Sequence, residues 1–261
     1  MSKVRAAAVA GMFYPVDAAE LKQMVREFLD QASSSGAAPK AIIAPHAGYI
    51  YSGPVAASAY HLLESRCDQI KRVVLLGPSH RVPLLGLAAS SADSFSTPLG
   101  PVSLDREMID HLCQLPQVKL MDEAHMMEHS LEVHLPFLQT IFNEFTLVPL
   151  VVGEASAKEV CEVLEDAWHD EDTLVVISSD LSHYHSYDAA QQMDSQTSKA
   201  IEQLDDSKIG HDNACGRIPV SGLLALARKR GLSAETIDLR NSGDTAGPRD
   251  QVVGYGAYVF R

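Results

Sequence analysis

Four short apolar runs constrain this chain more than any other feature. Ala41-Ile-Ile-Ala44, Val73-Val-Leu-Leu76, the stretch from Thr146 to Val152 and that from Thr173 to Ile177 are dominated by Val, Ile, Leu and Ala. They lack the polar-apolar alternation of a strand wetted on one face. A strand that is apolar throughout has to be covered on both faces, and the usual cover is a layer of helices on each side of a parallel sheet. Segments with helical spacing do lie between the runs. Together they predict an α/β fold: a three-layer α/β/α sandwich with a mixed, largely parallel central sheet. Nothing in the 261 residues resembles a linker, so the chain reads as a single domain over 1–261.

The intervening segments follow in order. Asp17 caps a helix, Glu20 completes a capping box, and Leu21, Met24, Val25, Phe28 and Leu29 form one apolar face. Gly48 to Pro54 reads as a loop, with Pro54 in the first turn of a helix through Val55, Ala59 and Leu62. Gly86 to Ser90 is a further strand candidate, and turn-linked strands around Ser90 to Leu104 would make the sheet mixed. Helices are expected from Asp105 to Cys113, after Ser156 and Glu159 with Val160, Val163, Leu164, Ala167 and Trp168 inward, from Asp188 to Leu204, and from Pro219 to Arg230. Strands at Glu235 to Leu239 and Tyr255 to Phe260 close the chain.

Three of the buried runs stop at polar residues. The first ends in Pro45-His46, the second in Gly77-Pro-Ser-His80 and the fourth in Ser178-Ser-Asp180-Leu-Ser-His183. In an open α/β sheet, ligands bind beyond the carboxyl ends of the strands, where residues distant in sequence can converge. His46 and His80, in matched contexts, are candidate metal ligands, although a single histidine at a strand end is more often hydrogen-bonded scaffold. Cys215, beside a glycine just ahead of a helix, is the natural third ligand, whereas Cys67, Cys113 and Cys161 sit in helix-like stretches and read as packing. Asp180 and His183 could form a proton-transfer pair, or Asp180 could simply cap a turn.

The densest collection of His and Glu is Glu123-Ala-His125-Met-Met-Glu128-His129-Ser-Leu-Glu132-Val-His134-Leu-Pro136. If helical, it sets Glu128 and Glu132 one turn apart, and Pro136 kinks that helix or opens another. His129 and Glu132 are either site residues or a solvated face, while His125 and His134 read better as scaffold. A net charge of −13 and a pI near 5.2 argue against nucleic acid or anionic lipid as partner. A small molecule or a peptide remains. Four scattered cysteines and the absence of a long apolar run point to a cytoplasmic protein with no membrane association.

Six pieces in order, Ala10-Gly-Met-Phe-Tyr-Pro15, Pro45-His-Ala-Gly-Tyr49, Gly77-Pro-Ser-His80, Glu128 to Pro136, Ser178 to His183 and Cys215-Gly-Arg217, together resemble the Memo family. Memo proteins are similar in fold to LigB-type class III extradiol dioxygenases, which are non-haem iron enzymes. The resemblance implies a LigB-like fold and a dioxygenase-type pocket. It places His46 and His80 at the two histidine ligands, Cys215 where the dioxygenases have a glutamate, and His183 at the catalytic base, with His129 positioned to orient oxygen or substrate. The implied cofactor is a mononuclear divalent metal, Fe(II) first, although two imidazoles and a thiolate suit Zn or Cu as well.

Three functions follow as expectations. The first is an O2-dependent or redox metalloenzyme acting on a small, catechol-like molecule. The second is a non-catalytic protein binding a peptide or small ligand on the same scaffold. The third is a metal-free hydrolase with Cys215 as nucleophile, activated by a histidine that Asp180 orients.

Overall fold

The computed structural model describes residues 2–261. In chain order the elements are β1 (Val4–Arg5), α1 (Ala18–Gln31), β2 (Ala41–Ala44), α2 (Tyr49–Tyr60), β3 (Arg72–Pro78), β4 (Leu87–Ala89), β5 (Ser94–Thr97), β6 (Gly100–Ser103), α3 (Arg106–Leu112), β7 (Val118–Leu120), α4 (Asp122–Met126), α5 (Leu135–Ile141), β8 (Thr146–Val152), α6 (Ala157–Ala167), β9 (Thr173–Ser178), β10 (His183–His185), α7 (Tyr187–Glu202), α8 (Arg217–Arg230), β11 (Ala234–Asn241) and β12 (Val252–Phe260).

The four apolar runs are β2, β3, β8 and β9. They lie side by side in the order β2-β9-β3-β8, all parallel, at the heart of a nine-stranded sheet. Apart from half-buried Arg72 and Thr146 at the starts of β3 and β8, their side chains are buried, as continuous apolarity requires. Ala44 stands opposite Ser178, and Leu76 opposite Ile177, so β2, β9 and β3 finish nearly level. That register delivers the residues after three strands to one edge of the sheet. Helices α1, α2 and α5 pack together as one group and α3, α6 and α8 as another, flanking the sheet.

The sheet is mixed, but not for the expected reason. β5 and β6 form a hairpin that leaves the central sheet and joins β1 in a separate three-stranded sheet. The antiparallel pairings come instead from β12 against β2, β10 and β11, and from β4 against β8.

Capping chemistry sets several boundaries. Ser156 and Glu159 close a reciprocal capping box on α6, whose Val160, Val163, Leu164 and Ala167 are buried. The Asp17 cap of α1 is one-sided: its carboxylate accepts from Ala19 and Glu20 backbone N–H. Leu21, Val25 and Leu29 form the buried stripe of that helix.

Helix α2 begins at Tyr49, so Gly48 to Pro54 is not a loop and Pro54 lies inside the helix. Proline removes one helical hydrogen bond, while two long-range bonds and one local bond anchor the first turn of the helix. Tyr49 N donates to Phe13 O at 2.8 Å, Tyr49 OH to Val133 O at 2.6 Å and Ser52 Oγ to Ala47 O at 2.9 Å.

The His/Glu-rich segment is not one helix. α4 ends at Met126, an irregular stretch carries Glu128 to Leu131, a 3-10 turn spans Glu132–His134, and Pro136 sits in the first turn of α5. Glu128 and Glu132 therefore point to different partners.

Candidate metal centre

Three side chains from three separate places meet at the sheet edge. His46 follows β2, His80 follows β3, and Cys215 precedes α8, and one ligand atom from each lies within 4.8 Å of the others. The His46 and His80 ring centroids are 5.1 Å apart, and His46 Nε2 is 3.4 Å from Cys215 Sγ. Two glycines make the convergence sterically feasible. A Cβ on Gly216 would stand 2.5 Å from Ser178 O, and one on Gly77 would stand 2.8 Å from Ser130 Oγ. Only a bare backbone lets the Cys215 segment close onto the end of β9, and the Glu128–Leu131 stretch onto the end of β3.

The hydrogen bonds around the imidazoles decide which nitrogens carry lone pairs. Ser178 Oγ donates its single proton to Ser130 O at 2.6 Å. At its 2.6 Å contact with His46 Nδ1, that hydroxyl must therefore accept, so His46 is protonated on Nδ1 and bare on Nε2. Burial, reinforced by the neighbouring His80 and His129, holds the His46 pKa well below its usual value, so the ring is neutral. On the other side, His80 Nδ1 lies 2.9 Å from Glu128 Oε1. The Glu128 carboxylate also accepts from His80 N at 2.6 Å and from His129 N and Ser130 N, both at 2.9 Å. Burial alone would raise the Glu128 carboxyl, but the bonds from His129 and His80 outweigh it and hold the pKa far below the usual range. A carboxylate that is always charged makes His80 Nδ1 a donor and leaves His80 Nε2 free. Carboxylate or hydroxyl groups behind ligating histidines are how proteins orient them for a metal.

Cys215 is partly accessible, and Asp180 N donates to its Sγ at 3.3 Å. Burial pushes the thiol pKa up, and the Asp180 carboxylate adds to the effect. Thiol and neutral imidazole thus rest side by side with no thiolate–imidazolium pair, which argues against a metal-free cysteine nucleophile. A divalent cation reverses that balance, because a coordinating thiol is deprotonated outright. Two bare imidazole nitrogens and one convertible thiol fit such a cation in number and kind.

The remaining residues sort themselves around this cluster. His129 packs against both candidate ligand histidines, with ring centroids 5.4 Å from His46 and 4.6 Å from His80, and its ring centroid lies 4.8 Å from that of Phe13. His80, Glu128 and His129 also form a second set of potential ligands. The Asp180 carboxylate does not cap the turn that follows it: its Oδ1 accepts from His46 N at 2.7 Å, pinning the strand end. Burial raises the Asp180 pKa and the His46 bond opposes it. His183 does not hydrogen-bond to Asp180. Its Nδ1 is satisfied by Leu181 O at 2.8 Å, which leaves Nε2 as the free nitrogen. Glu132 is no solvated face: it is buried against Arg5, with further bonds from Ala8 N, Val9 N and Tyr14 OH. His125 and His134 are buried scaffold, bonded to Ala88 O and Tyr60 OH respectively.

The sequence did not single out Ser178, Ser130, Asp194 or Arg5. Asp194 on α7 accepts from Ser182 N at 3.0 Å beside His183. Ser178 had a signal, since it directly follows a buried run. Arg5 had none.

The family model described as "Memo-like protein" matches residues 5–259. The chain belongs to the Memo family. A MEMO1 family protein of Aquifex aeolicus is 36% identical over 272 residues, covering 99% of both chains, and one of Saccharolobus solfataricus is 36% identical over 282 residues, covering 98% of this chain and 99% of that one. An uncharacterized Escherichia coli K12 protein of known structure is similar in fold, with a TM-score of 0.59 at 12% identity over 84% of this chain and 98% of that one. Among the described residues, no helix is long and apolar enough to cross a membrane.

Proposed function

We propose that this Memo-family protein holds one divalent ion on His46, His80 and Cys215 and uses it in O2-dependent or redox chemistry on a small, catechol-like molecule. The observation that carries the reading is the convergence of the three donor atoms within 4.8 Å, with both imidazoles hydrogen-bonded so that a bare nitrogen is available. The ion would supply Lewis acidity and, as Fe(II), a redox centre; Zn and Cu are the alternatives the donor set admits.

The chain's own residues supply the rest. His183 Nε2, free because Leu181 O holds the Nδ1 proton, accepts a proton from the substrate. His129 orients the small ligand from the side of the histidine pair. Asp180 keeps the His46 backbone and the Cys215 sulfur in register.

Elemental analysis of protein purified without added metal or chelator tests the metal. Near-stoichiometric metal in wild type, with a large loss in Cys215→Ser, is the expected result, and no metal in wild type refutes it. Oxygen uptake after anaerobic Fe(II) loading tests the reaction across a panel of catechols and thiols. Ligand capture without turnover, surviving His183→Ala, would identify a non-catalytic binding protein instead.

A further inference from the structure

A cavity of about 720 Å³ opens on the His80 and Cys215 side of the site. Leu84 and Ile218 supply apolar wall, while Lys119 and Arg217 bring two cations to the same cavity. The chain as a whole carries a charge of −13, so a cavity with two cations and one carboxylate, Glu154, runs against the general field. Arg217 is in the first turn of α8, two residues beyond Cys215. Its guanidinium reaches Glu154 only at 4.0 Å, and Glu154 is itself 75% exposed. Among the described residues, this is its one ion pair, and the planar fork of donors is otherwise unspent.

We propose that this cavity binds a small amphipathic organic anion. Its carboxylate pairs with Arg217, supported by Lys119, and its apolar body lies along Leu84 and Ile218 toward His80 and Cys215. The assignment rests on the metal-site reading for the role of the far end of the ligand, but not for the binding of the anion itself. Arg is the side chain suited to this task, because its parallel N–H groups match a carboxylate bidentately, and low-dielectric walls strengthen the pairing. The apolar walls set a second requirement, since a bare inorganic anion would leave them uncovered. Glu154 acts as a weak competitor for the guanidinium, and a ligand carboxylate displaces it at little cost because that contact is long and solvated.

The probe pair is 3-phenylpropionate and its neutral analogue 3-phenylpropan-1-ol, titrated calorimetrically into full-length protein as purified. The carboxylate is expected to bind on the order of tenfold more tightly than the alcohol, as a charge-assisted bidentate pair provides. Arg217→Gln should abolish that ratio, Lys119→Gln should reduce it, and Glu154→Gln should increase it. Equal binding of the two probes, no detectable binding of the carboxylate, or a ratio that survives in a folded Arg217→Gln protein overturns the proposal. Metal content, measured on the same wild-type preparation, keeps the two readings apart. Anion preference in metal-free protein sinks the metal reading alone, and metal without anion preference sinks this one alone.

Discussion

Glu128→Gln removes one charge and tests the arrangement behind His80. The carboxylate receives four donors: His80 Nδ1, His129 N and Ser130 N on Oε1, and His80 N on Oε2. A glutamine offers one acceptor oxygen and an NH2 group. With its oxygen in the Oε1 position, the amide nitrogen faces the His80 N–H; reversed, it faces three donors. The better orientation leaves the part-buried His80 N–H facing another donor, costing about 1–3 kcal/mol, and weakens the remaining charge-assisted bonds by about 1 kcal/mol in total. A loss of about 3 kcal/mol corresponds to a melting point lower by about 8 °C in a chain of this size. Loss of the carboxylate behind a ligating imidazole should also lower metal affinity about 10- to 100-fold. Calorimetric melting of metal-free protein reads the first effect, and Co(II) competition with a chromophoric chelator reads the second. A melting point within about 2 °C of wild type, with affinity within about threefold, would show that Glu128 is not the charged hub described here.

Gly216→Ala should cost about 1–3 kcal/mol by overpacking, because the new Cβ meets Ser178 O at 2.5 Å and Ser179 Cβ at 2.6 Å. It should also reduce metal content by moving Cys215; unchanged melting and metal content would refute the close approach. Arg5→Met strands the buried Glu132 carboxylate and should lower urea stability by about 3 kcal/mol or more, against no change if Arg5 merely covers the surface. Burial lowers the His134 pKa to about 3 and the His125 pKa to about 4. In each, the folded pKa lies below the unfolded value of 6.5, so the stabilisation is complete above pH 6.5 and declines as pH falls toward the folded pKa. Each histidine adds a slope approaching about 1.4 kcal/mol per pH unit, and a urea midpoint that stays flat between about pH 6 and 5 would contradict the buried, neutral assignment.

The central parallel strands were legible because burial on both faces forces continuous apolarity over short runs rich in Val, Ile and Leu, where a half-wet strand would alternate. The periphery was legible only in part: β4, β11 and β12 coincide with strands expected from the sequence, whereas β7 and β10 do not. β10 is three residues long and rests on pairing with β12, while β7 depends on pairing with β4; neither pairing leaves a local pattern. Pro54 misled for a related reason. Proline chemistry alone puts it at a helix start, but the bonds that extend α2 back to Tyr49 come from Phe13 and Val133, far away in sequence. At the site, residues that must be one chemical type to bind an ion stood out, and His46, His80 and Cys215 do converge. The groups orienting them did not stand out, because serines and backbone carbonyls serve everywhere.

Those orienting groups reduce to one short stretch. Ser130 O takes the Ser178 proton and so sets the His46 tautomer, while Glu128, two residues earlier, takes the His80 Nδ1 proton. Both bare imidazole nitrogens are therefore specified by residues 128–130, which have no regular secondary structure of their own. Such a stretch would ordinarily be the most adaptable part of a fold. Here it is held at both ends: Arg5 binds Glu128 O and the Glu132 carboxylate, and Ser130 Oγ donates to Pro78 O across the space that Gly77 leaves open. The buried Arg5–Glu132 pair contributes little net stability by itself, since desolvation offsets much of its attraction. Its consequence is geometric. By fixing where residues 128–130 lie, the N-terminal strand determines which imidazole nitrogens face the centre, although no atom of that strand is a ligand in the cluster.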